Sequence, residues 1–221
     1  MPVTYAKNCA EHYSDHPVKS RLEQKRLMDV LLSLVLLPAV LPLAVLIGAI
    51  LKIQGGPILF SQVRVGRDGL PFRLWKFRTM IADADAVLQK HLDRHPSAKK
   101  EWRDHRKLRN DPRVTRFGAF LRRCSLDELP QFWNIFLGEM SLVGPRPVSQ
   151  NELEEKYRQY ALSYMRCRPG LTGLWQVSGR NRLTYESRVQ LDDYYARQQN
   201  ALLDLWILWR TIGAVLRGTG C

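Results

Sequence analysis

The chain has 221 residues and a mass of 25.6 kDa, enough for one domain with a buried core and a small appendage. A hydrophobic fraction of 45%, a charged fraction of 25% and a mean hydropathy of −0.28 exclude a disordered chain, a collagen-like chain and a polytopic membrane protein. The surplus of 34 Lys+Arg over 21 Asp+Glu, a net charge of +13, favours anionic partners: nucleic acid, acidic lipid head groups or phosphorylated substrates.

A polar N-terminal segment covers residues 1–26. Between Asp29 and Lys52 then lie 22 uncharged residues, 18 of them hydrophobic. As a helix that run would reach about 33 Å, enough to cross a bilayer core of about 30 Å, so residues 27–53 are expected in the membrane. Pro38 and Pro42 straddle its midpoint, where each removes a backbone donor and breaks the helix. Both flanks are basic, with Lys19, Arg21, Lys25 and Arg26 before the run and Lys52, Arg64, Arg67 and Arg73 after it. The positive-inside rule puts both flanks on the cytoplasmic side. A helix broken in the middle with both ends on one side is a re-entrant hairpin; a kinked helix crossing once is the alternative.

Gly55-Gly56-Pro57 ends the apolar run, and residues 58–80 read as extended chain around an Asp68-Gly69 turn. Within it Lys76 and Arg78 alternate with Trp75 and Phe77, so a strand would carry both cations on one face. A charged helical pattern runs from Ile81 to about Arg109. Residues 60–130 hold 17 Lys+Arg against 9 Asp+Glu, and with Phe72, Trp75 and Phe77 interleaved this stretch could bind nucleic acid, although it contains no recognisable nucleic-acid module. Helices are expected over about 126–138 and 150–166. The Gly-rich segment 168–181 separates them from a long helical region beginning near Tyr185. The last helix, Ala201 to Leu216, is too short to span; its Trp206 and Trp209 suit either a membrane interface or a core. The four cysteines (Cys9, Cys124, Cys167, Cys221) form no CxxC pair and read as reduced thiols.

Ser125-Leu126-Asp127-Glu128 is the first stretch that looks chemical. As Ser-x-x-Glu it could simply be a capping box that starts a helix. Arg122 and Arg123 precede it, however, and Gly144-Pro145-Arg146-Pro147, Arg168-Pro169-Gly170 and Gly179-Arg180-Asn181 follow. Single arginines framed by glycine and proline suit phosphate, because the backbone approaches closely and the planar guanidinium grips two oxygens. An acid pair amid such cations, with Mg²⁺, is a workable site for a carboxylate nucleophile in phosphoryl chemistry. His91 and His95 stand at i, i+4 without an HExxH context and read as a solvated helix face. Neither a Walker A sequence nor GxGxxG occurs.

The segments KFRTM (76–80), 110–147 and RPGLTGLWQVSGRN (168–181) resemble the bacterial sugar transferase family, the monotopic phosphoglycosyl transferases, with the match running in order from about residue 24 to 217. The resemblance implies an α+β enzyme: a mostly helical, compact cytosolic catalytic domain (54–221) with a small strand region and an interfacial C-terminal helix, anchored by an N-terminal re-entrant membrane helix. It implies transfer of a sugar 1-phosphate, of the hexose type such as galactose or glucose, from a UDP-sugar to polyprenyl (undecaprenyl) phosphate, with release of UMP, at the start of surface polysaccharide synthesis. Asp127 would be the nucleophile and the Mg²⁺ ligand, and Glu128 its catalytic partner. Lys76, Arg122, Arg146 and Arg180 would bind phosphate. Bilayer lipids become partners, nucleic acid does not, and the C-terminal region could serve a homodimer. The expected location is the bacterial inner membrane, with the catalytic domain on its cytoplasmic face. One departure stands out: Leu37-Pro38 occupies the helix break where family members often carry Ser-Pro.

Overall fold

The computed structural model describes residues 16–105, 108, 110–180 and 183–216. Most of the expected N-terminal segment, together with Cys9, Asn181 and Cys221, lies outside the described residues. The fold is α+β, mostly helical with two small two-stranded sheets.

Helix α1 (His16–Ile53) is 38 residues long and contains Pro38 and Pro42. Its backbone stays helical through both prolines, so neither residue ends it. A 31-residue stretch, Glu23–Ile53, is long and apolar enough to cross a membrane. One stripe faces inward at helical spacing: Asp29, Ser33, Ile47 and Leu51 are buried, and Leu32, Val40 and Ala44 pack partly against the body. Much of the helix from Leu27 to Ile53 is exposed and apolar, including Val35 at 75% and Val45 at 63%. No soluble surface sustains that much contiguous hydrocarbon, and α1 is a membrane anchor.

Strands β1 (Leu59–Val65) and β2 (Pro71–Phe77) form the expected antiparallel hairpin, with Leu59 opposite Phe77 and Val65 opposite Pro71. Asp68 and Gly69 take the left-handed conformation that closes its turn. On β2, alternation places Phe72, Leu74 and Lys76 on one face. Phe72 and Phe77 are both core residues, which removes them as stacking platforms for nucleic acid.

The single charged helix expected from Ile81 is two helices, α2 (Ala84–Arg94) and α3 (Pro96–His105). Pro96 forces His95 into an extended conformation, and the helix restarts with proline in its first turn. After α4 (Arg116–Arg123) and a short 3-10 turn (Leu126–Glu128) comes α5 (Gln131–Leu137), closed by left-handed Gly138. Strand β3 (Ser141–Val143) pairs in parallel with β4 (Gly170–Thr172). Between them residues 150–165 run as irregular helix through a π turn (Leu153–Tyr157) into α6 (Ala161–Met165). Helix α7 (Leu174–Ser178) leads to α8 (Tyr185–Gln198) and α9 (Ala201–Leu216). Helix α9 has a buried face and an exposed apolar one. Asp204 and Ile207 are buried in the body, while Leu202, Trp209 and Ile212 are exposed.

The largest core cluster joins β2, α5, β3, α8 and α9 through Phe72, Leu74, Phe132, Ile135, Leu142, Tyr195 and Ile207. A second cluster ties α1 to Phe77 and Leu121.

Candidate active site

The acid pair does not cap a helix. Ser125 sits in the left-handed conformation and its hydroxyl caps nothing; α5 begins only after Pro130. The Glu128 carboxylate is instead taken by Lys76, whose Nζ donates to Oε1 at 2.6 Å. The same Nζ is 3.9 Å from Asp127 Oδ2, a charge contact without a hydrogen bond. Asp127 is 8% exposed. Burial pushes its carboxyl above the usual carboxylate range; Lys76 opposes that shift, Glu128 adds to it and Arg122 opposes it.

These four side chains arrive from three elements whose relative positions are fixed by polar contacts. Asn134 of α5, fully buried, donates through Nδ2 to Arg73 O and Glu139 Oε2, both at 2.7 Å. Its Oδ1 accepts from the Trp75 N–H at 3.2 Å. That amide bolts β2 beside the acid turn and sets Lys76 against Glu128. Arg122 Nε donates to the Thr79 hydroxyl at 2.9 Å, and α4 is drawn against Thr79 by a close backbone approach. A Cβ on Gly118 would meet the Thr79 carbonyl oxygen at 2.1 Å, so no residue but glycine fits. Arg78, expected to share a face with Lys76, lies past the end of β2 and donates to Leu51 O of α1 at 3.3 Å.

Arg146 and Arg180 belong to a second constellation. The Gly144–Pro147 loop packs backbone to backbone on the 168–173 loop, where a Cβ on Gly170 would strike Gly144 N at 2.1 Å. Arg146 is exposed, its guanidinium 5.8 Å from the Trp175 ring centre; Arg188 approaches the same ring at 4.8 Å. Arg180 takes a left-handed backbone and donates through Nε to Gln176 O at 3.2 Å. Arg146, Trp175, Tyr185, Arg188 and the carboxylates of Glu152 and Asp192 line a cavity. Both of those acids are engaged by tyrosine hydroxyls: Tyr185 donates to Glu152 at 2.6 Å and Tyr157 to Asp192 at 2.7 Å. Burial pushes the Asp192 carboxyl up to about 7, and its Oδ1 is buried without a hydrogen-bond partner among the described residues. Asn134, Asp192 and Tyr157 escape sequence reading. The one hint is a lone amide inside the apolar run QFWNIFL.

Among the described residues no group of three or more His, Cys, Asp or Glu side chains is placed to hold a metal ion. His91 and His95 merely stack, their ring centres 4.5 Å apart. The adjacent acids Asp127 and Glu128 nevertheless suit Mg²⁺, which takes one or two carboxylates and fills its shell with water and substrate phosphate oxygens. The site is therefore a buried, proton-avid carboxylate beside a lysine-bound one, with Arg122 as a second nearby cation, and such an arrangement can attack phosphorus.

The chain matches the bacterial sugar transferase family over residues 20–218. It is 49% identical over 197 residues to the exopolysaccharide production protein ExoY of Sinorhizobium fredii, covering 89% of this chain and 87% of that one. It is 46% identical over 196 residues to the UDP-galactose-lipid carrier transferase of Erwinia amylovora. Against the undecaprenyl-phosphate galactose phosphotransferase of Salmonella typhimurium the identity is 43% over 196 residues. In both of these pairings the match spans 89% of this chain but 41% of the relative's length.

Proposed function

The chain belongs to the bacterial sugar transferase family, and from that premise we propose that it transfers a hexose 1-phosphate from a UDP-hexose to undecaprenyl phosphate, releasing UMP. The relatives named for galactose make UDP-galactose the first donor to try, with UDP-glucose next. The observation that carries the reading is the division of labour in the acid pair. Lys76 holds Glu128 in a short ion pair, while Asp127 keeps its carboxylate oxygens outside that hydrogen bond in a desolvated site that raises their basicity.

An Asp127 oxygen attacks the β-phosphorus of the donor. The bond from that phosphorus to the bridging oxygen breaks, and UMP leaves with the electron pair. A phosphate oxygen of the lipid then attacks the same phosphorus, the Asp127–phosphorus bond breaks and the carboxylate is restored. Glu128 accepts the acceptor's proton if the lipid phosphate arrives protonated. Lys76 and Arg122 offset the charge that a carboxylate and two phosphates bring together, and Arg146 and Arg180 bind donor phosphate oxygens from the second loop. Asp127 would hold Mg²⁺ together with the substrate phosphates, and the bound ion would supply further neutralisation of the leaving group.

The anchor geometry supports an enzyme with its body on one face of the membrane. Both arms of α1, before Pro38 and after Pro42, pack against the same body, through Asp29 and Leu32 and through Ile47 and Leu51. A helix that crossed once would leave one arm on the far side. The family's inner-membrane location, with the body facing the cytoplasm where UDP-sugars are held, fits that arrangement. The exposed face of α9 then lies on lipid, with Trp206 and Trp209 at the interface.

UMP release measured with and without undecaprenyl phosphate tests the reaction. The reading predicts about one UMP per enzyme without acceptor and sustained turnover with it. Sustained release without acceptor, or none with it, would contradict the reading.

A further inference from the structure

The cations that precede the apolar run look from the sequence like topological signals. In the structure Lys25 and Arg26 are turned into the protein. Lys25 Nζ lies 2.7 Å from Asp204 Oδ2, with the lysine side chain 12% exposed. Asp29 Oδ1 accepts from Ser141 Oγ at 2.9 Å and from Leu142 N at 3.0 Å, fixing the strand that leads into the Arg146 loop. Arg26 reaches α5, the helix that begins three residues after Glu128. Its Nη1 donates to Ile135 O and its Nη2 to Phe136 O at 2.7 Å. A guanidinium fork thus closes two of the last carbonyls of that helix, where a cation also complements the helix dipole.

The other end of α1 is held by the mirror-image contact. Arg78 donates to Leu51 O, one of the last carbonyls of α1. Its neighbours are the two points at which this segment touches the acid site: Lys76, bonded to Glu128, and Thr79, bonded to Arg122. Each helix end is therefore clamped by an arginine from the other side: the anchor caps the helix that follows the acid turn, and the acid-site segment caps the anchor.

We propose that α1 forms part of the active-site frame, and that Arg26 and Arg78 are positioning residues that hold the acid turn and Lys76 in register with the anchor. This use of the anchor rests on the reaction proposed above. Lysine at either position keeps the charge and loses the fork, so the clamp can be loosened without removing a catalytic group.

The test uses the full chain in lipid nanodiscs with Arg26→Lys, Arg78→Lys and, as a control from the exposed last turn of α1, Lys52→Gln. Backbone amide exchange over residues 126–137 should quicken by about tenfold in the two arginine variants, while exchange in α8 stays unchanged. Their kcat should fall by about fivefold or more with the donor KM held within about twofold, the split expected when alignment of the acids is lost and ground-state binding is kept. Lys52→Gln should alter neither. Exchange over 126–137 that stays at the parent rate in both arginine variants would overturn the proposal. A parent enzyme inactive with every UDP-sugar would sink the proposed reaction, and the exchange measurement would still decide the role of the clamp.

Discussion

Asp127 and Asp192 are both buried carboxylates whose proton affinity burial raises, yet their surroundings give them opposite uses. Asp192 receives the Tyr157 hydroxyl on Oδ2 at 2.7 Å, while its Oδ1 is buried without a hydrogen-bond partner among the described residues. Asp127 has Lys76 at 3.9 Å and like-charged Glu128 beside it, so its lone pairs remain available. The difference lies in the neighbours: Asp127 shares Lys76 with a second acid, whereas Asp192 is bonded to a neutral tyrosine hydroxyl. A buried acid amid charges is suited to chemistry, whereas one bonded to a neutral hydroxyl braces the packing around it.

The comparison breaks most sharply under the same change at both sites. Asp127→Asn should lower turnover by about a thousandfold or more, because the nucleophile is lost. The same variant should raise Tm by about 2–4 °C at neutral pH, because an under-compensated buried charge becomes a neutral amide. Asp192→Asn keeps an acceptor for the Tyr157 hydroxyl, and its rate should fall by less than about tenfold. A kinetic assay paired with a thermal melt reads both; equal losses of rate at the two positions would erase the distinction.

Next in size is Arg146→Ala. A charge-assisted contact to phosphate is worth about 1.5–3 kcal/mol, so kcat/KM should fall at least about tenfold. An unchanged value would mean that Arg146 shapes its loop without touching donor. A subtler effect concerns pH. The free carboxylate of Asp127 is the attacking form, so the rate should rise with pH, with an apparent pKa above the ordinary carboxylate range. Lys76 opposes that upward shift, so Lys76→Gln should move the limb to still higher pH. A limb that stays in place or moves down would place the titration elsewhere.

The smallest effect is thermodynamic. With Asp192 pushed up to about 7 in the folded chain, the folded state keeps a proton that the unfolded chain has already lost at lower pH. Stability should therefore decline as pH rises from about 4 to about 7 and level off above that. Denaturation of Asp192→Asn across that range should show the decline reduced, and an unchanged slope would assign it to another group.

The same contrast explains what was legible in the sequence. Local signals worked: the Asp68-Gly69 turn gave its hairpin and the apolar run gave the long exposed helix α1. Ser125-x-x-Glu128 misled, because a capping box needs a free glutamate and Lys76, far away in sequence, claims this one. The β3–β4 pair was missed because three-residue strands carry no usable periodicity, and their partners lie about 29 residues apart. Lys25 and Arg26 read as flanking charges because nothing local reveals an Asp204 or an α5 carboxyl end waiting for them. Asp192 was invisible for the same reason: its meaning lies in Tyr157, 35 residues away in the sequence.

Intact and peptide-level mass spectrometry of the purified enzyme, quenched after brief exposure to UDP-galactose or UDP-glucose with Mg²⁺ and no lipid, is the most direct test of the central claim. The account predicts a mass gain of one hexose phosphate that maps to Asp127 and is absent from Asp127→Asn. An adduct on another residue, or full turnover with lipid by an enzyme that forms no adduct without it, would contradict the claim that Asp127 is the nucleophile.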